Sequence, residues 1–232
     1  RDALARDALR LLRGAGVNLD RIQAVAATTG CAAISVDPSG DNAIAVGSGA
    51  NLLASASQVE DTLLRPNATV VLQMEVPPAE TAALIARARA RGARLVLNLA
   101  PAASLEEAAL RAVDVLVVNE TEGVWLGAHL GCAATAAALC DRLGGLAVVL
   151  TKGGDGADVA GQEGSWHEPA VTIEATDTTA AGDCFVGVLS HRLDRGETLQ
   201  AAVRRATAAA ALCCTHHGSQ GVCRRRRRRM RS

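Results

Sequence analysis

From residue 57 onward, short unbroken apolar runs at 69–73, 94–97, 115–118 and 147–150 alternate with stretches of helical length. A strand without polar alternation faces water on neither side, and strands covered on both sides belong to parallel sheets. The stretches between the runs, at about 78–91, 105–113 and 135–143, suit the crossover helices that parallel neighbours require. The expected fold class is therefore α/β, an open and mostly parallel sheet flanked by helices. With 232 residues, 49% of them apolar, the chain has material for one large core, or for one domain with a small appendage.

The front of the chain departs from this pattern. Residues 24–36 and 42–46 alternate small or β-branched residues with polar ones around Asp37-Pro38-Ser39-Gly40, which predicts a hairpin flap beside the main sheet. Ahead of it, residues 1–12 read as an amphipathic helix already under way, with neither an initiator Met nor an upstream cap, as expected of a chain that begins inside a domain. Asp2 and Asp7 argue against a transit peptide, which avoids acids. Later, the Gly- and Asp-rich break at 153–164 predicts a second short hairpin ending near Trp166, followed by helices at about 182–194 and 198–214.

Composition removes several classes of function. Formal net charge is zero, so attraction to nucleic acid or membrane would have to come from a local cluster, and Arg224–Arg229 is the one cluster present. That tail admits two readings, an acidic-surface binder or a solvated, disordered extension. Trp125, Trp166 and Phe185 are the only aromatic residues, too few for a base-stacking platform, so nucleic acid is not an expected partner. The seven cysteines are odd in number and form no C-x-x-C pair, and His216-His217 has no ligand set near it in sequence, which argues against a disulfide framework or a zinc site. No run of about 18 apolar residues is present, so a membrane is not expected either, and a reducing, cytoplasmic setting is the default.

Each apolar run ends in polar residues: Gln73-Met74-Glu75, then Asn98, then Asn119-Glu120, then Thr151-Lys152. In a parallel sheet these ends share one edge, the edge where open α/β sheets bind ligands. The most distinctive segment is Asp177-Thr178-Thr179-Ala180-Ala181-Gly182-Asp183, followed at once by an apolar helix. Small residues at 180–182 leave amides uncovered at a helix amino end, which attracts an anion. Asp183 in the first turn is either a capping acid or a base that takes a proton from a hydroxyl. Thr151-Lys152-Gly153-Gly154-Asp155-Gly156 permits close approach of a nucleotide but lacks the spacing of a phosphate loop. Asn119-Glu120-Thr121-Glu122 is either a helix start or a Mg²⁺-organising group.

Together, and in this order, these segments resemble the ribokinase branch of the PfkB-type carbohydrate kinases over roughly residues 1–220, with 221–232 as a separate arginine-rich tail. The resemblance implies a ribokinase-like sheet with a small, partly missing β lid, formed by the hairpin and continued by Gly49-Ala50-Asn51. It implies ATP-dependent phosphorylation of a sugar hydroxyl, ribose above all. Asp183 would be the base, and the amides of Ala180, Ala181 and Gly182 the anion hole. Asn119 and Glu122 match the family's N-x-x-E motif for Mg²⁺ and phosphates. Thr151, Lys152, Gly153, Gly154, Asp155 and Gly156 would lie along the nucleotide, Thr207 near adenine and Glu75 near the sugar. A K⁺-type cation would sit with Asp177, Thr179 and the segment around Cys213, His216 and Gly218, although the sequence after Gly218 departs from the family's. Pairing of two copies through an intact lid is also implied.

The family's first strand and its Gly-rich sugar motif would precede residue 1, so three functional readings stand. One is an active ribose kinase. Another is a non-catalytic fragment retaining a nucleotide site, and the third a kinase for fructose or a nucleoside.

Overall fold

The computed structural model describes residues 2–36 and 42–219; the hairpin tip at 37–41 and the arginine tail lie outside the described residues. Strands β3 (Thr69–Leu72), β4 (Arg94–Asn98), β5 (Val115–Asn119) and β6 (Ala147–Thr151) pair parallel, and β7 (Ala157–Gly161) and β8 (Gly164–Glu168) add antiparallel at one side. The six strands lie in sequence order across the sheet.

Strand side chains alternate between two cores, as a period of two requires. Leu95, Leu97, Leu116, Val118, Val148 and Leu150 pack with residues of α2 (Pro78–Ala90), α3 (Glu107–Arg111), α4 (Glu120–Leu130) and α5 (Ala136–Arg142). Val96, Val115, Val117, Val149 and Val159 pack instead under α6 (Ala181–Asp194) and α7 (Leu199–Cys214). Burial on both faces is why these strands read as continuous apolar runs.

Two contacts fix the direction of α6. Thr69 Oγ1 donates to Asp194 Oδ1 at 3.0 Å, and the Arg94 guanidinium donates to the Leu193 carbonyl. The carboxyl end of α6 thus meets the first residues of β3 and β4, and its amino end points toward the carboxyl edge of the sheet.

The front of the chain forms α1 (Ala3–Gly14) and a separate two-stranded antiparallel sheet of β1 (Cys31–Val36) and β2 (Asn42–Gly47). Two expectations are corrected here. Asp2 does cap α1, its carboxylate accepting from Ala5 N at 2.8 Å and also from Thr29 N at 2.8 Å. The first strand begins at Cys31 rather than at 24, because Thr29 N is bound by Asp2 while Thr28 O accepts from Ala50 N at 2.8 Å, so neither pairs across the hairpin.

The legs of the hairpin cross at two glycines. A Cβ on Gly49 (φ +50°) would lie 2.4 Å from Thr28 O, and one on Gly30 would lie 2.7 Å from Ser48 O. Beyond the crossing, the segment 49–63 runs through short 3₁₀ turns held by α2: Glu80 accepts from Ala56 N at 2.7 Å, and Arg87 donates to Ala56 O at 2.6 Å and Val59 O at 2.7 Å.

One further expectation is corrected: the helix at 105–113 shortens to Glu107–Arg111, one turn. The helix-start reading of Asn119-Glu120-Thr121-Glu122 holds, with α4 beginning at Glu120, and the hairpin expected from the break at 153–164 is β7–β8, which extends the main sheet.

Candidate active site

The loop before α6 is stitched to the end of α7. The Cys214 carbonyl accepts from Thr176 N at 2.8 Å and Asp177 N at 3.1 Å. The Asp177 carboxylate accepts from Thr179 N and Gly218 N, each at 2.9 Å. Those amides, Gly218 first, hold the Asp177 carboxyl at about 2 instead of its ordinary 3.8. The Cys213 thiol lies 4.0 Å from the carbonyls of Thr179 and Ala180. The segments bearing Asp177, Thr179, Cys213 and Gly218, far apart in sequence, are thus drawn together, with His216 beside them, its Nδ1 2.8 Å from Thr215 Oγ1.

Ala180 enters α6 with φ 62° and ψ 13°, a left-handed conformation that an alanine adopts only at a cost. No side chain caps the helix there; the Ala181 amide donates to the Thr178 carbonyl at 3.2 Å, while the amides of Gly182 and Asp183 stay uncovered among the described residues. Gly182 occupies the helical face of Phe185, Val186 and Leu189, which turns toward the sheet, and a Cβ placed on it meets nothing within 4 Å. The first turn of α6 is therefore open at Gly182. Asp183 is exposed in that first turn.

The sheet edge carries the other candidates. Asn119 ends β5 and caps α4 in a reciprocal box: Asn119 Oδ1 accepts from Glu122 N at 2.8 Å, and Glu122 Oε2 accepts from Asn119 N at 2.7 Å. Glu122 is 8% exposed, and burial pushes its carboxyl above the ordinary value. A divalent cation would offset that burial. Among the described residues no group of three or more His, Cys, Asp or Glu could hold a metal, so Mg²⁺ would rely on phosphate oxygens and water, as is usual for that ion.

Thr151 ends β6, its hydroxyl donating to Val118 O at 3.3 Å. The turn Gly153–Asp155 follows, closed by Lys152 N donating to Gly156 O at 2.7 Å. Gly156 (φ +96°) has no room for a side chain, since a Cβ would lie 2.1 Å from Glu168 O, whereas Gly153 and Gly154 face open space. Lys152 Nζ lies 3.2 Å from Asp158, which also meets His167 Nδ1 at 2.7 Å. That His167 contact first, then Lys152, holds the Asp158 carboxyl below its ordinary value. Asp158 and His167 escaped sequence reasoning, because only strand alternation across β7 and β8 places them beside Lys152.

Thr207 is buried on α7, and its hydroxyl has no partner among the described residues. Glu75 is exposed after β3, with Gln73 Oε1 accepting from its amide. A cavity of about 1090 Å³ lies elsewhere, between α1, residues 50–59 and the side chains of Leu72, Val76 and Leu84.

A helix end that attracts anions, directed toward a polar sheet edge and with a carboxylate in its first turn, suits a phosphorylated ligand. Residues 1–225 match the pfkB family carbohydrate kinase, and the chain belongs to that family. It is 34% identical to a ribokinase of Staphylococcus aureus over 186 residues, 76% of this chain and 60% of that protein. Among solved structures it resembles a ribokinase of Thermotoga maritima, with a TM-score of 0.86 and 28% identity, covering 96% of this chain and 74% of that one. It also resembles a ribokinase of Cryptococcus neoformans in complex with ADP, with a TM-score of 0.81 and 26% identity, over 95% and 76% of the two chains.

Proposed function

We propose that the site transfers the γ-phosphoryl group of ATP to a sugar hydroxyl, with ribose the foremost substrate. The observation that carries this reading is the uncovered amino end of α6 with Asp183 in its first turn, aimed at the carboxyl edge of the sheet. Asp183 accepts the proton of the attacking hydroxyl as its oxygen bonds to the γ-phosphorus, the bond to the β-phosphate oxygen breaks, and ADP leaves. The amides of Ala180, Ala181 and Gly182 donate to the charge that grows on the transferring group. Glu75 orients the sugar, and Thr207 borders the base of the nucleotide, which runs along Thr151–Gly156. Mg²⁺ held through Asn119 and Glu122 neutralises phosphate charge when bound. A monovalent cation near Asp177 is the expected aid to the anion hole.

ATP as donor fits a cytoplasmic setting, and pairing of two copies through the β1–β2 lid is the proposed assembly. No helix among the described residues is long and apolar enough to cross a membrane. The test is ADP release measured with ribose, deoxyribose, fructose and a nucleoside. Release that depends on ribose is expected; release independent of any sugar contradicts the reading, and preference for another member of the panel moves the substrate assignment alone.

A further inference from the structure

The polar rim has a direction that follows from strand register. Val96, Val117 and Val149 all pack under α6 and α7, so by alternation Asn98, Asn119 and Thr151, two residues further along each strand, turn toward the same face. Asn119 pairs with Thr151, while Asn98 pairs with Val117, so Asn98 shares their face but lies one row earlier, level with Val117 and Val149. Asn119 and Thr151 are committed, one to the cap of α4 and one to Val118 O. Asn98 is half-buried, and its carboxamide makes no hydrogen bond among the described residues. It ends β4, the strand whose first residue holds the carboxyl end of α6, and it turns toward the face that α6 covers.

Charge along the rim is graded. The β3 end carries the Glu75 carboxylate, the β4 end a neutral amide, and the β6 end Lys152. Of the acids between them, Glu122 is drawn into its cap, while Glu120 is exposed. An anionic ligand is repelled from the β3 end and settles over β4 to β6. The terminal phosphoryl group of a nucleotide laid along β6 then falls nearest β4. A carboxamide there supplies N–H donors without placing a second charge beside Asp183.

We propose that Asn98 is a further substrate-contacting residue, its carboxamide N–H donating to the γ-phosphoryl group of the nucleotide. The assignment rests on the phosphoryl-transfer reading above. It is tested by calorimetry in Mg²⁺ with ADP and with a non-hydrolysable ATP analogue, on the wild-type chain, Asn98→Ala and the isosteric Asn98→Asp. Loss of a hydrogen bond to a charged group weakens binding of the analogue about tenfold in Asn98→Ala. Asn98→Asp, which adds repulsion, weakens it further. ADP binding stays within about twofold in both, since ADP lacks the group contacted.

Equal losses for the two nucleotides, or none for either, overturn the assignment, as does a wild-type chain that binds no analogue. A wild-type chain that binds the analogue with this selectivity yet phosphorylates no sugar removes the kinase reading and leaves the contact standing. Asn98→Asp keeps the side chain's shape, so selective loss in that folded variant separates a ligand contact from a structural role.

Discussion

Asp177 shows how one side chain can hold a loop in place. Both its oxygens accept backbone N–H groups, from Thr179 ahead of α6 and from Gly218 after α7. Those bonds exist for the carboxylate and weaken when it is protonated, which is why its pKa falls from 3.8 to about 2. A carboxyl group depressed in the folded state adds stability above its unfolded value, and that contribution is lost as pH falls through the folded one. Between pH 3.8 and about 2 the chain should therefore lose stability more steeply than an Asp177→Asn variant. Urea unfolding at steps across that window measures it, and identical slopes would remove Asp177 from this role. Asp2 and Glu107, also depressed to about 2, keep part of the slope in both proteins.

At the scale of elements, the turn between β6 and β7 depends on Gly156 and not on Gly154. A side chain at 156 meets Glu168 O at 2.1 Å and Ala170 N at 2.6 Å with φ at +96°, whereas one at 154 meets nothing. Gly156→Ala should destabilise the fold by about 3 kcal/mol or more, and Gly154→Ala should change it by less than about 0.5 kcal/mol. Comparable midpoints in denaturant for the two variants would contradict this placement of the turn. The legibility of elements in sequence follows their surroundings. Strands β3 to β6 are legible because burial on both faces removes their polar residues. β7 and β8 are less so, since Gly161 and Gly164 and the polar residues between Asp158 and His167 resemble a loop until the sheet edge pairs them. Helix α4 is legible at its start, where Asn119-Glu120-Thr121-Glu122 forms a cap, but less so beyond, because Gly123, Leu126, Gly127 and Leu130 are buried. In the site, Asp183 and the small residues before it are legible from the helix start. The left-handed Ala180 is not, because alanine gives no local sign of that conformation; only the clamp from Cys214 and Gly218 explains how it is held.

For the whole molecule, one sheet separates two cores, and α6 lies along it with its amino end toward the carboxyl edge of the strands. The lid stands apart on two crossing legs, tied to the body by Glu80 and Arg87 of α2. The chain spans about 60% of the length of the Staphylococcus aureus ribokinase it matches. The central claim is that Asp183 serves as the base for transfer from ATP to a sugar. It is tested most directly by following sugar phosphate formation with ³¹P NMR for the wild-type chain and Asp183→Asn, with ribose and Mg·ATP. The account predicts a sugar phosphate from the wild type and a rate lower by about 10²- to 10⁴-fold in the variant, with nucleotide binding retained. Equal rates in the two proteins, or no sugar phosphate from the wild type, would contradict it.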